Sequence, residues 1–181
     1  ILGVIFPKIF LIKSEDKKGR LTIYNLHSTQ EEYFSKYKKI IEKINLKEKF
    51  INPDNIDIFF KEGFGDESFS LLTLDDGFAN NLEFAEKVLD SLNIKAIFFI
   101  IPKFINEDKN INIKFFHALY PKFDPKKIKD LKEKFIPLSK DDIIKLKKLG
   151  HTIGMHGLNH ENFTDLNKNE IPSILIDGMN L

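Results

Sequence analysis

The amino-acid sequence predicts an α/β fold, and three stretches carry that prediction. Residues 69–74 are a short, nearly continuous apolar run, the pattern of a parallel strand covered on both faces. Leu82, Ala85, Leu89 and Leu92 then recur at helical spacing, and residues 94–101 form a second apolar run stopped by Pro102. Strand, helix and strand make a βαβ unit. Residues just after Leu74 therefore sit at a strand's C-terminal end, where the chemistry of α/β folds gathers.

The elements before this unit have local signals of their own. Residues 10–12 and 21–26 flank a polar turn at 14–20 and predict a hairpin. Thr29 with Glu32 has the spacing of a capping box, and Tyr33, Tyr37, Ile40, Ile41 and Ile44 follow as one apolar helix face. Asn52-Pro53-Asp54 marks a turn, residues 56–60 a short helix, and residues 63–67 a loop.

After the unit, residues 103–137 read as an insertion, either a lid over a substrate site or a solvated excursion. Within it, Asp124-Pro125 opens a predicted helix with Ile128, Leu131 and Phe135 on one face. Ser139 with Asp142 is a second capping box. The helix it starts carries Ile143, Ile144, Leu146 and Leu149, and it ends at Gly150 with Lys145, Lys147 and Lys148 in its last turns. Residues 152–155 are then a third strand. No internal repeat or low-complexity tract interrupts the pattern.

Composition narrows the function classes. With 42% hydrophobic and 30% charged residues, the 181-residue chain is globular and long enough to bury a sizeable core. Lys and Arg number 28 against 27 Asp and Glu, so net charge offers no electrostatic reason to invoke nucleic acid or an anionic membrane. The absence of cysteine excludes disulfides and thiolate metal sites and leaves the compartment unassigned. The apolar opening, residues 1–12, is interrupted by Pro7-Lys8 and falls short of the ~20 residues of a membrane span. It reads as a buried strand, with the tail of a signal or anchor as the alternative; no complete signal peptide is visible.

Two elements carry chemistry. Asp75-Asp76-Gly77 follows the first strand, and His156-Gly157-Leu158-Asn159-His160 follows the third. Taken singly, an Asp pair after a strand is ordinarily a turn or helix cap, and a histidine pair at i, i+4 is often structural. Jointly they offer one carboxylate and two imidazoles to a metal, with a second carboxylate alongside. That is the donor set of a hydrolytic divalent-metal site with a position left for water. The remaining histidines have simpler readings. His151 is a surface or capping residue and His117 is structural, while His27 follows a strand and is the weaker site candidate. Phe98-Phe99 reads as core, and the lysine-rich stretches 126–134 and 145–148 as solvated helix faces.

The motifs carry a family resemblance. Ser70-Leu71-Leu72-Thr73-Leu74-Asp75-Asp76-Gly77-Phe78 resembles the first motif of the polysaccharide deacetylase (NodB-homology, carbohydrate esterase family 4) proteins, usually Thr-Phe-Asp-Asp-Gly. Residues 150–160 resemble the second, a Gly-His-Glu-Ile-Gly-like strand leading into His-Ser/Thr-x-x-His. Ile94-Lys95-Ala96-Ile97-Phe98-Phe99-Ile100 resembles the family's Ala-Thr-Phe-Phe strand, and fainter similarity reaches back to residues 23–27. The resemblance implies a distorted (β/α) barrel, of which this chain holds part. It also implies metal-dependent removal of N-acetyl groups from a polysaccharide or glycan amino sugar. Asp75 would be the general base, and Asp76, His156 and His160 would hold the metal, commonly zinc. The implied partner is a carbohydrate substrate.

The chain departs from the pattern in places. Leu74 replaces a Phe, and Gly157 replaces the Ser or Thr between the histidines, losing a hydroxyl that could orient the loop. The family's later Arg, Asp/Trp and Leu-x-His segments, the last supplying the general acid, are absent from this chain. With Ile1 first and Leu181 last, the expectation is a fragment. Residues 1–66 would be an N-terminal flanking segment, and 67–181 the N-terminal part of the deacetylase domain with its insertion at about 103–137. Two other readings stand beside the enzyme: a non-catalytic, metal-retaining remnant or binding domain, and an α/β scaffold whose Asp and His pairs are structural.

Overall fold

A computed structural model describes residues 8–13, 19–63, 65–105, 111–122, 124 and 136–180. Among these residues six strands form one sheet: β1 (Lys8–Lys13), β2 (Arg20–Leu26), β3 (Lys49–Phe50), β4 (Ser68–Leu74), β5 (Ala96–Ile100) and β6 (Thr152–Met155). The order across it is β1-β2-β4-β5-β6. Strands β1 and β2 are antiparallel, as the expected hairpin requires, and all other pairings are parallel. Residues 14–18 of its turn lie outside the described residues. β3 pairs with Phe69 and Ser70 of β4, along the edge that β5 occupies from Leu72 onward.

Parallel neighbours need crossovers, and helices supply them. α1 (Phe34–Asn45) and α2 (Ile56–Glu62) lie either side of β3. α3 (Asn80–Phe84) continues through a wide π turn, Ala85–Leu89, into a 3-10 turn, Asp90–Leu92, before β5. α4 (Ile111–Leu119) and α5 (Lys140–Lys148) precede β6, and α6 (Ile171–Met179) follows it. No helix among the described residues is long and apolar enough to cross a membrane.

The register divides the sheet into two faces. Leu72, Leu74, Ala96, Phe98 and Ile100 pack with Phe84, Val88, Leu89 and Leu146 beneath the helices. On the other face Leu21 and Leu71 pack with Ile51 and the partly buried Ile97 and Phe59. Burial on both faces is why residues 69–74 read as an unbroken apolar run. Phe98 is core as expected, whereas Phe99 is half-buried on the opposite face, against Gly154.

Where a cap can be closed locally, the expectation holds. Ser139 Oγ accepts from the Asp142 amide at 3.2 Å while the Ser139 amide donates to Asp142 Oδ2 at 3.0 Å, which completes the capping box of α5. The box expected of Thr29 and Glu32 does not form. The turn Glu31–Tyr33 has Gln30 as its cap without a side-chain bond. Thr29 is buried, and its hydroxyl donates to Asn81 Oδ1 at 2.9 Å, 52 residues away. The α1 face is narrower than predicted: Phe34 and Ile41 are buried, Tyr37 packs against them, and Ile40 is exposed.

His151 is neither on the surface nor a helix cap. It is buried, its ring stands edge-on to Phe98 with centroids 5.0 Å apart, and its Nδ1 accepts from the first amide of β5, that of Ala96, at 3.2 Å. Burial pushes its pKa down to about 4, and the nearby Lys95 ammonium adds to the shift.

The insertion also differs from the solvated excursion allowed for it. The predicted helix from Asp124 lies outside the described residues apart from Asp124 itself. α4, which periodicity does not announce, buries Phe115 and Phe116 against Phe78, Ile101 and Phe104 in a small core of its own. His117 is exposed at its end, with its ring beside that of Phe116.

Candidate metal centre

Parallel register puts both motifs at one end of the sheet. The Asp75 amide donates to the Leu26 carbonyl at 2.9 Å, extending β4 against β2 by one residue. The His156 amide donates to the Ile100 carbonyl at 2.7 Å, extending β6 against β5 in the same way. Asp76 then leaves the strand with φ 72° and Gly77 follows with φ 71°. A Cβ on Gly77 would meet the Ile100 backbone at 3.3 Å, so the turn needs glycine both for its conformation and for its closeness to β5. Residues 136–138 hold the loop from outside: the Leu138 amide donates to the Gly77 carbonyl and the Ala79 amide to the Ile136 carbonyl, each at 2.8 Å.

The two turns bring Asp76, His156 and His160 together. One ligand atom from each lies within 4.8 Å of the others, the only such group of three among the described residues. Asp76 Oδ1 is 3.5 Å from His156 Nε2 and 3.6 Å from His160 Nε2, and the imidazole centroids are 5.1 Å apart. In a tetrahedral site with bonds of about 2.0–2.2 Å, neighbouring ligand atoms stand roughly 3.3–3.6 Å apart. The carboxylate side chain is 7% exposed and the imidazoles 36% and 32%, so the cluster has a closed floor and an open mouth.

The tautomer of His160 follows from its second contact. Its Nδ1 lies 3.2 Å from the Ala118 carbonyl of α4. A carbonyl only accepts, so Nδ1 carries a proton, and Nε2, on the side of Asp76, is the nitrogen left to ligate an ion. A backbone carbonyl partner of this kind is what orients metal-binding histidines. Among the described residues the non-glycine positions with positive φ are Asp76, Asn93 and His160, and two of these three belong to the cluster. Left-handed backbone at a non-glycine residue costs on the order of 1–3 kcal/mol and persists where surrounding contacts enforce it. The donor set, one carboxylate oxygen and two imidazole nitrogens with no sulfur, suits a divalent ion such as zinc.

Asp75 differs from its neighbour. It is half-buried, and no hydrogen bond or ion pair engages its carboxylate among the described residues. His27 stands half-buried beyond the end of β2 and is not one of the three converging residues. Sequence reasoning missed two neighbours of the site. The Ala118 carbonyl has no side-chain signature. Tyr120 has its phenol pKa raised, by burial first and by the Asp76 carboxylate second, and lies in a stretch read only as insertion. The orienting hydroxyl missed at Gly157 has a counterpart: the turn is held by the Glu161 carboxylate, which accepts from the amides of Leu158 and Asn159.

A family model described as polysaccharide deacetylase matches residues 64–175, more than half of the chain. The chain belongs to the polysaccharide deacetylase family. Both turns of the cluster fall within the matched deacetylase region. No curated protein sequence matches the chain. Solved structures share its fold at low identity. IcaB from Ammonifex degensii is 17% identical, with a TM-score of 0.53 over 79% of this chain and 53% of that one. The Streptococcus pyogenes deacetylase PplD in complex with acetate is 11% identical, with a TM-score of 0.58 over 94% and 67%. A de-N-acetylase from Aggregatibacter actinomycetemcomitans is 14% identical, with a TM-score of 0.52 over 77% and 55%. The chain thus spans between about half and two-thirds of these relatives. The α/β architecture expected from the sequence, a parallel sheet with crossover helices, is the one it shares with these deacetylases.

Proposed function

We propose that this polysaccharide deacetylase is a zinc-dependent hydrolase that removes N-acetyl groups from a glycan amino sugar, with Asp76, His156 and His160 as its metal ligands. The observation that carries the reading is the convergence of those three side chains at the C-terminal ends of two parallel strands. Family membership supports the reaction class and the carbohydrate substrate.

An amide is a poor electrophile with a poor leaving group, so its hydrolysis needs an activated nucleophile and a stabilised oxyanion. The chemistry a divalent ion supplies in such a donor set is Lewis acidity, which acidifies water and polarises an acyl carbonyl. Asp76 and the two imidazoles bind the ion, and the Ala118 carbonyl keeps His160 in the tautomer that can do so. Asp75, its carboxylate unengaged among the described residues and one residue from a ligand, accepts the proton of the attacking water as general base. Adjacent residues at a strand end project differently, which lets one carboxylate bind an ion while the other takes a proton.

The test is zinc uptake by the purified protein, together with acetate release from N-acetylglucosamine oligomers by the protein extended to include the family's later Arg, Asp/Trp and Leu-x-His segments. Release should appear with zinc and vanish on chelation. Turnover that survives complete chelation, or a folded protein that takes up no divalent metal, overturns the proposal.

A further inference from the structure

The turn between the two histidines is an unusual piece of backbone. Gly157 has φ 71° and His160 has φ 59°, so two of its five residues are left-handed. Both imidazoles reach Asp76 only because this turn closes as it does. It is tied from outside by the Lys103 amide, which donates to the Leu158 carbonyl at 3.1 Å, and by the bond from His160 Nδ1 to the Ala118 carbonyl. From inside it is tied by a single atom. Glu161 Oε2 accepts from the Leu158 amide and from the Asn159 amide, each at 2.9 Å. Two consecutive amides aimed at one carboxylate oxygen form a charge-assisted pair, stronger than two neutral bonds.

Gly157 and Glu161 are complementary. A Cβ on Gly157 would lie 2.7 Å from Glu161 Oε2, so the carboxylate occupies the space that any side chain at 157 would take. The missing side chain and the inward carboxylate make one device: glycine permits the conformation and leaves the room, and Glu161 fills the room and satisfies the turn's amides. Its carboxylate is not one of the three converging ligands. We infer that Glu161 is a positioning residue, holding the 156–160 turn so that both imidazoles present their Nε2 atoms to the ion; this rests on the metal reading proposed above.

The test compares the full chain with Glu161→Ala and Glu161→Gln by zinc titration against a competing chelator, with hydrogen exchange at the Leu158 and Asn159 amides measured on the metal-free proteins. Removing an outer partner of a metal ligand typically weakens binding by about 10–100-fold. Glu161→Ala should show a loss in that range and faster exchange at both amides. Glu161→Gln keeps an acceptor oxygen and should recover most of the affinity, a rescue that general destabilisation would not produce. If the alanine variant fails to fold, Glu161→Leu, which keeps bulk and removes both acceptors, takes its place with the same expected loss. Wild-type affinity within twofold in a folded Glu161→Ala or Glu161→Leu protein overturns the inference while leaving the metal site standing. A wild-type chain with no zinc affinity overturns the metal site itself, and the positioning role with it.

Discussion

His160 Nδ1 donates to the Ala118 carbonyl across 3.2 Å, joining the second histidine of the pair to a residue 42 positions earlier. The segment between the two motifs is therefore part of the site's construction. α4 is anchored by Phe115 and Phe116 in an aromatic core with Phe78, which itself follows Asp76-Gly77 by one residue. One small core thus links the residue after the Asp76-Gly77 turn to the helix that contacts His160.

Removing a ligand should remove the metal. Asp76→Ala or His156→Ala should weaken zinc binding by more than about 100-fold, since loss of an outer partner alone costs about 10–100-fold. Zinc titration and elemental analysis check this. Stoichiometric metal retained in the Asp76→Ala/His156→Ala double variant would falsify the ligand assignment.

The adjacent aspartates should separate cleanly. Asp75→Asn should abolish acetate release and leave metal content close to wild type, because it removes a base and no ligand. Asp76→Asn should lose both. Equal metal loss in the two variants would mean that the roles are assigned wrongly.

Phe116→Ala should affect the site from a distance. The ring is 1% exposed, and its loss should cost about 3–5 kcal/mol. Because it anchors the helix that carries the Ala118 carbonyl, zinc affinity of the folded variant should fall as well. Leu89→Ala, buried in the main core beneath the sheet, should lower stability without touching affinity. Equal zinc affinity in the Phe116→Ala variant and the wild type would disconnect α4 from the site.

Acid should destabilise the fold through His151. Its folded pKa, about 4, is below the ordinary 6.5, so the unfolded chain binds the proton more readily. The stability contributed by the neutral ring is fully present above about pH 6.5. It is lost as pH falls toward about 4, by at most about 3 kcal/mol. Urea unfolding of wild type and His151→Gln at pH 7.5 and 4.5 reads the effect directly. The pH-dependent loss should shrink in the variant, and an identical loss in both would assign it to other groups.

Gly154→Ala should disturb the strand that delivers His156. A Cβ there would lie 2.5 Å and 2.6 Å from two atoms of the Phe99 ring. Overpacking of this kind costs about 1–3 kcal/mol. Phe99→Leu in the same background should recover part of the loss in chemical denaturation, and a fully stable single variant would contradict the packing.

What the sequence by itself determined is everything encoded within a few residues of chain. The apolar run 69–74, the capping box of Ser139 and Asp142, and the Asp-Asp-Gly and His-x-x-x-His motifs each combine local spacing with local chemistry. Placing both motifs at strand ends brought one carboxylate and two imidazoles into view as one set, and the family resemblance implied which carboxylate, Asp76 with His156 and His160. Tertiary structure decided the rest. Thr29 has the spacing of a cap but turns to Asn81, because a buried hydroxyl takes the partner that burial brings to it. His151 looks like a surface residue until β5 presents an amide to its ring. The Ala118 carbonyl that selects the His160 tautomer has no sequence signature, since every residue, whatever its side chain, offers the same backbone oxygen. Only the folding of α4 onto Phe78 shows which carbonyl it is.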